Sequence, residues 1–237
     1  RIGSYQVNGN TTTVTVYHPD KPGGTQCGSG HSGFTYNRTQ VCIGDTHWDE
    51  NMVLAHELGH VLMRRLLFAP SDTQCNLSEC TGPYGWSTSV NEKCVISEGW
   101  ADFISGATYF SDYAASPYYF NSTQNLEGDT TKGNSGSLAC VSNNASPERC
   151  RGNAARFFWD MYDSTTEGDD GNDVHNLTIS RIKDIWMLFM AGTSNLRECE
   201  EDDDGRNAID FYSYALVSSI NIMNEIEQNC LESQDPN

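Results

Sequence analysis

The sequence predicts an α+β fold formed by a single domain, and three observations support this class. The chain has 237 residues, of which 37% are hydrophobic, so it is long enough to bury one large core. Polar and apolar residues alternate in about residues 1–45, whereas apolar residues recur at helical spacing further on. Since the strands precede the helices instead of alternating with them, we expect an α+β arrangement over residues 1–237.

The N-terminal part, about residues 1–45, is predicted to contain two pairs of strands. Residues 2–17 alternate polar side chains with valine, isoleucine and tyrosine, which is typical of a strand or a hairpin. Residues 19–33 are rich in proline and glycine and are therefore expected to form a loop. Residues 34–43 have the composition of a second strand pair.

The rest of the domain is predicted to be mainly helical. A first active-site helix is expected over about residues 46–68. Thr46 can cap its start together with Asp49, and Pro70 ends it. A second active-site helix is expected over about residues 96–110. The helical C-terminal part, about residues 151–230, contains three further helical stretches, over about residues 151–164, 178–193 and 206–228.

Composition argues against several classes of partner. The formal net charge is −18, with 32 acidic and 14 basic residues, so a nucleic acid or an anionic membrane surface would be repelled. No apolar run reaches the roughly 18 residues that a membrane-spanning helix needs. Nucleic acid and membranes are therefore not expected as partners, and the protein is expected to be a monomer. Because Arg1 follows neither a methionine nor a signal peptide, the chain is expected to be a processed form.

Nine cysteines indicate an oxidising compartment, and hence a secreted, extracellular protein that is stabilised by disulfides. Their spacing is unlike that of paired CxxC zinc knuckles. Six N-glycosylation sequons agree weakly with this location. The odd count leaves one thiol unpaired or paired outside the chain, and the connectivity stays open. The spacings suggest the bridges Cys27–Cys42, Cys140–Cys150 and Cys199–Cys230, with one more bridge shared among Cys75, Cys80 and Cys94.

The most specific signal is His56-Glu57-Leu58-Gly59-His60, which lies in the first active-site helix. Residues four apart stand on one face of a helix, so both imidazoles can reach a single metal ion. Glu57 can act on a water molecule on the open side of that metal. The alternative is a pair of polar histidines on an ordinary amphipathic helix. Because the chain has only six histidines, the pattern favours a zinc site.

A catalytic zinc site needs a third protein ligand. Metzincins place a histidine six residues after the second histidine, but that position is Leu66 here. Downstream, Glu98 and Asp102 stand one turn apart on the second active-site helix. We predict that Glu98 is the third ligand and that Asp102 holds a histidine ring through its outer nitrogen. The alternative for both residues is an ordinary charge at the surface of a helix.

These motifs resemble those of the gluzincin zinc metallopeptidases, in particular the thermolysin-like and fungalysin-like ones. The segment from Glu98 to Phe103 (EGWADF) is similar to the fungalysin-type EGWxDF pattern, and residues 155–162 (ARFFWDMY) look like the LWDLY helix of that family. The likeness covers about residues 50–165. It implies a zincin-like catalytic domain that binds one zinc ion and hydrolyses peptide bonds as an endopeptidase.

The expected reaction is attack on the peptide bond by a zinc-activated water. Glu57 would accept the proton of that water as general base and pass it to the leaving amine. The developing oxyanion needs a further donor. His175 resembles the histidine of a Val-His pair that supplies this donor in thermolysin-like enzymes. Tyr109, Tyr113 and Tyr162 are the alternatives.

Two other functions stay open at this point. A zinc-containing domain could serve in adhesion or binding without proteolysis, although an intact Glu57 argues against that. An aminopeptidase would need acidic groups for the amine of its substrate, and the Gly-x-Met-x-Asn signature of gluzincin aminopeptidases is missing. Calcium is a second candidate cofactor, because residues 167–173 and 198–204 carry many carboxylates. A solvated acidic loop is the better interpretation of those two segments.

Overall fold

The computed structural model describes the elements that surround the predicted site. The described residues are 2–7, 10–17, 33–37, 40–43, 51–67, 92–111, 126, 150–163, 177–182, 184–185 and 215. In chain order, the strands and longer helices among them are β1 (Ile2–Val7), β2 (Asn10–Tyr17), β3 (Gly33–Asn37), β4 (Gln40–Ile43), α1 (Asn51–Leu67), α2 (Glu92–Tyr109) and α3 (Arg151–Tyr162). Strands precede helices in this order, which agrees with the predicted α+β class.

The four strands form one sheet in the order β1-β2-β4-β3. β1 pairs with β2 and β3 with β4, both in antiparallel orientation, so the two strand pairs predicted from the alternating pattern are confirmed. The pairs join through β2 and β4, which run parallel, with Val16 opposite Val41. This parallel join was not predicted, because it pairs residues that are distant in the chain and leaves no local pattern.

One face of α1 packs on this sheet. Val53 and Val61 stand about two turns apart on α1 and form one buried cluster with Val14, Val41 and Ile43 of the sheet. Each of the five is at most 4% exposed. Branched side chains suit both partners here, since they pack well on a pleated surface. The burial of this face determines which side of α1 is turned toward α2.

Two glycines allow α2 to lie close to both α1 and α3. A Cβ added at Gly59 of α1 would lie 2.9 Å from the Cα of Ala101, and one at Gly99 of α2 would lie 2.5 Å from the Cβ of Ala154 in α3. Because neither distance leaves room for a methyl group, each helix crossing depends on the missing side chain. The histidines of α1 therefore come within reach of α2.

An aromatic core fills the space between α2 and α3. The rings of Trp100 and Phe158 meet edge to face with centroids 5.4 Å apart, and Phe103 contacts both Phe158 and Trp159. These four side chains are at most 1% exposed. Since complete burial of one large apolar side chain contributes about 1.5–3 kcal/mol, the cluster anchors α2 against α3.

The helix boundaries differ from the predicted ones mainly at N-terminal ends. α1 lies within the predicted range 46–68, and its predicted cap, Thr46, lies outside the described residues. α2 begins at Glu92, four residues before the predicted start at 96. Its early residues Cys94 and Val95 are buried, so packing extends this helix into a segment whose composition is that of a loop.

The C-terminal helical stretches are described only in part. α3 ends at Tyr162, two residues before the predicted end, because Asp163 adopts an extended conformation. Residues 179–182 and 184–185 are helical, within the predicted 178–193. Within the predicted 206–228, Ala215 is described and is helical.

The cysteines that the structure describes are of two kinds. Cys42 and Cys94 are disulfide-bonded, and their partner cysteines lie outside the described residues. Cys150 is instead a buried thiol at the N-cap of α3, so the predicted Cys140–Cys150 bridge is wrong. The short loop spacing that suggested this bridge carries no information on the packing of Cys150 at the start of a buried helix.

As for membranes, none of the described helices combines the length and the hydropathy required to cross one.

Candidate metal centre

Two imidazoles of α1 meet at their Nε2 atoms. His56 and His60 stand one turn apart, and their Nε2 atoms lie 3.1 Å from each other. The rings cross at 87° with centroids 4.7 Å apart, and the two residues are only 5% and 8% exposed. The four-residue spacing thus brings both nitrogens to one buried point between α1 and α2.

Glu98 of α2 completes a cluster of three donor residues. Its Oε2 lies 3.4 Å from His56 Nε2, and its Oε1 lies 3.4 Å from His60 Nε2. One ligand atom from each residue can be chosen so that all lie within 4.8 Å of one another. Tetrahedral zinc, with bonds of about 2.0–2.1 Å, separates its ligand atoms by about 3.3 Å. The two imidazoles and the carboxylate therefore fit zinc in both chemistry and spacing.

The outer nitrogens of the two rings are held by α2 as well. His56 Nδ1 donates to Oδ1 of the fully buried Asp102 at 2.7 Å. With the proton on Nδ1, the Nε2 atom keeps its lone pair for a metal. Ser97 Oγ lies 3.4 Å from His60 Nδ1, a longer contact of the same kind. α2 thus orients both rings and supplies the third donor.

Strong electrostatic coupling binds these groups together. Burial alone lowers the pKa of His56, but the charge and hydrogen bond of Asp102, together with Glu98, outweigh it and raise the pKa to about 10. Burial likewise favours a neutral Glu98, yet the neighbouring His60 and His56 hold its pKa well below the usual range. The two carboxylates therefore favour a positive charge at the histidines, which is the charge that a metal cation would supply.

Arg151, the first residue of α3, contacts both carboxylates of the cluster. Its Nη1 lies 3.5 Å from Glu98 Oε2 and its Nε lies 3.2 Å from Asp102 Oδ2. Its side chain is 11% exposed. The sequence reasoning missed this residue. A faint signal exists, since a basic residue opens a helix whose first turn contains no acidic residue, an arrangement that the helix dipole disfavours without a partner.

The predicted general base lies in the same buried region of α1. Glu57 follows His56 directly and is 5% exposed. Glu57 is next to the donor His56 in the chain, and its side chain leaves the helix about 100° further around the axis. The predicted oxyanion donor His175 lies outside the described residues, and its role stays a prediction.

The alternative oxyanion donors among the tyrosines are unequal. Tyr162 packs edge to face against Phe103 and Trp159 in the aromatic core. Tyr109 is 48% exposed at the end of α2, and Tyr113 lies outside the described residues. Tyr162 is therefore accounted for as part of the aromatic core, and Tyr109 as a tyrosine at the protein surface.

An α+β domain with two histidines and a glutamate gathered between its helices has the organisation of a metallopeptidase domain. Comparison with known families agrees with this class, because residues 4–206 match the model of the mycolysin C-terminal domain. The chain therefore belongs to the family of the mycolysin C-terminal domain, which is a family of metallopeptidases. No curated protein and no solved structure is significantly similar to the chain.

Proposed function

We propose that this chain is a secreted zinc-dependent endopeptidase with a gluzincin arrangement of ligands. In this proposal His56, His60 and Glu98 bind zinc, and residues 1–237 form one catalytic domain. The observation that carries the proposal is the spacing of three donors, two of them buried, at 3.1 and 3.4 Å from one another, with the carboxylate of Glu57 on the same helix as both histidines. The match to a metallopeptidase family supports it.

The metal that the cluster would hold and three further residues each have a proposed task in peptide hydrolysis. Zinc, when bound there, polarises the scissile carbonyl and brings the pKa of a water molecule down to about 7. Glu57 accepts the proton of the attacking water and returns it to the leaving amine. Asp102 keeps His56 in the tautomer whose Nε2 can bind a metal. His175 is proposed to donate a hydrogen bond to the developing oxyanion.

The residues of this chain support two competing functions less well than they support an endopeptidase. A domain that only holds zinc for adhesion or binding has no use for a buried carboxylate beside the ligands, and Glu57 is 5% exposed. An aminopeptidase needs acidic groups that bind the free amine of its substrate, and the sequence lacks the corresponding signature. Protein or peptide is the proposed substrate. Secretion is supported by the nine cysteines.

A peptide-library digestion tests the function directly. The purified chain is incubated with two random peptide libraries, one blocked at both ends and one with free ends, each with zinc and with a chelator. Internal cleavage that the chelator abolishes and zinc restores is the expected result. Cleavage only of peptides with a free amino terminus would establish an aminopeptidase instead. One bound zinc per chain without any cleavage would establish the binding domain.

A further inference from the structure

The two carboxylates of the cluster each divide their oxygens between different partners. Asp102 turns Oδ1 to His56 at 2.7 Å and Oδ2 to Arg151 at 3.2 Å. Glu98 turns Oε1 to His60 at 3.4 Å. Its Oε2 lies 3.4 Å from His56 and 3.5 Å from the guanidinium of Arg151. Each oxygen of Glu98 lies at the same distance from an imidazole, so the guanidinium is what distinguishes Oε2 from Oε1 within the cluster.

This difference bears on how many oxygens Glu98 can offer to a metal. A carboxylate whose oxygens are equally placed can bind a cation through one oxygen or through both. A positive group at one oxygen holds that oxygen by charge-assisted hydrogen bonding and competes with the cation for it. The planar guanidinium suits this task, because its rigid fork presents several donors that can serve two carboxylates at once.

We propose that Arg151 is a positioning residue that holds Glu98 as a one-oxygen ligand and so keeps the fourth position of the metal open. The inference rests on the proposed function, because it concerns the metal that His56, His60 and Glu98 are proposed to bind. Arg151 touches neither substrate nor metal in this assignment. It acts through Oε2 of Glu98, while its second contact fixes Asp102 behind His56.

The packing of α3 gives Arg151 a defined place for this role. Gly99 directly follows Glu98, and its missing side chain lets the first turn of α3 approach α2, with Ala154 against it. Arg151 lies in that first turn. A cation at the N-terminal end of a helix is unfavourable with respect to the helix dipole. The contacts with the two carboxylates offset that cost, so Arg151 is held by the cluster that it orients.

A merely structural role for Arg151 predicts something different. If the guanidinium only neutralised the two carboxylates, its removal would lower the stability of the fold and leave the coordination number of the metal unchanged. If it selects one oxygen of Glu98, its removal lets the second oxygen bind, and the coordination number rises by one. Cobalt(II) separates these cases, because its visible absorption is strong in four-coordinate sites and weak in five-coordinate ones.

The experiment compares the cobalt(II)-loaded wild type with the variants Arg151→Met and Arg151→Lys. Arg181→Met serves as the control, because it makes the same change at an exposed residue outside the cluster. We expect the visible absorption of Arg151→Met to fall severalfold, and the kcat of its zinc form to drop by about 10–100-fold at similar KM. Arg151→Lys should recover part of both, and Arg181→Met should match the wild type.

Two results would overturn the inference, and they can be told apart. An unchanged cobalt spectrum in Arg151→Met, with lower melting temperature, means that the role is structural. If Arg151→Met does not fold, Arg151→Gln takes its place, since it removes the charge and keeps a hydrogen-bonding group, and an unchanged spectrum there has the same meaning. A wild type that binds neither cobalt nor zinc overturns the proposed function itself.

Discussion

Helix α2 makes two junctions of opposite chemistry. Toward α1 it presents Glu98 and Asp102, which lie at the two histidines, and toward α3 it presents Trp100 and Phe103, which lie in the aromatic core. Both junctions depend on a glycine at the point of closest approach. A helix can thus separate the two tasks by face, since positions four apart share a side and positions two apart do not.

The comparison teaches that precision at the polar junction depends on rigidity at the apolar one. Buried carboxylates and imidazoles repel or attract one another strongly in a medium of low dielectric constant, so small shifts change their charge states. The aromatic core holds α2 through contacts between rings, which do not depend on charge. We therefore expect changes at the two junctions to separate into effects on chemistry and effects on stability.

The largest effect is expected at Glu57. Glu57→Gln keeps size and hydrogen bonding but cannot accept a proton, so activity should fall by more than the roughly 10²–10⁴ of a lost general base, because the same carboxylate also orients the water. Zinc content and the melting temperature should stay near those of the wild type. Peptide cleavage rates and metal analysis check this. An active Glu57→Gln variant would refute the proposed mechanism.

Substitutions in the aromatic core between α2 and α3 are expected to change the stability of the fold and not the zinc site. Phe158→Ala leaves a cavity among Trp100, Phe103 and Phe157 and should lower the free energy of unfolding by about 3–5 kcal/mol. The zinc affinity of the folded fraction should not change by more than a few fold. Chemical denaturation and chelator competition measure the two quantities. Tyr109→Ala, at a residue that is 48% exposed, is the matched control and should cost little.

An intermediate effect is expected where both junctions meet at Asp102. Asp102→Asn can still accept the hydrogen bond from His56 but loses its charge, which also weakens the contact with Arg151. Zinc affinity or activity should fall by about 10–100-fold, as is usual when a group that orients a metal ligand is changed. Asp184→Asn, at an exposed helical residue, should leave both unchanged. Equal affinities in the two variants would contradict the assigned role.

The last test starts from the unchanged chain and measures the dependence of zinc binding on pH. In the protein without zinc, the pKa of His56 is raised from 6.5 to about 10. Protonation of His56 therefore stabilises the zinc-free folded protein fully below pH 6.5, and this stabilisation is lost as the pH rises through 10. Zinc must displace the same proton. Affinity should therefore increase by about tenfold per pH unit between about pH 7 and 9. Asp102→Asn should flatten this slope, and a flat profile in the wild type would contradict a protonated His56 in the metal-free cluster.

Much of the candidate site could be predicted from the sequence, because its main parts are local. Four-residue spacing brings His56 and His60 to one helical face, and the same rule brings Glu98 and Asp102 to one face of α2. The contact between these two helix faces is not a local feature, and the periodicity of neither helix predicts it. Their meeting depends on Gly59, whose missing side chain allows the contact with Ala101.

The sequence by itself determined the strands of the sheet, the α1 histidine pair and the α2 carboxylate pair, since each rests on periodicity within a few turns or a few residues. Only the tertiary structure decided the parallel pairing of β2 with β4, the early start of α2 at Glu92 and the position of Arg151. Each of these depends on burial or charge between segments that are far apart in the chain. Arg151 shows the reason most clearly, because its carboxylate partners belong to α2, while the first turn of its own helix contains no acidic residue.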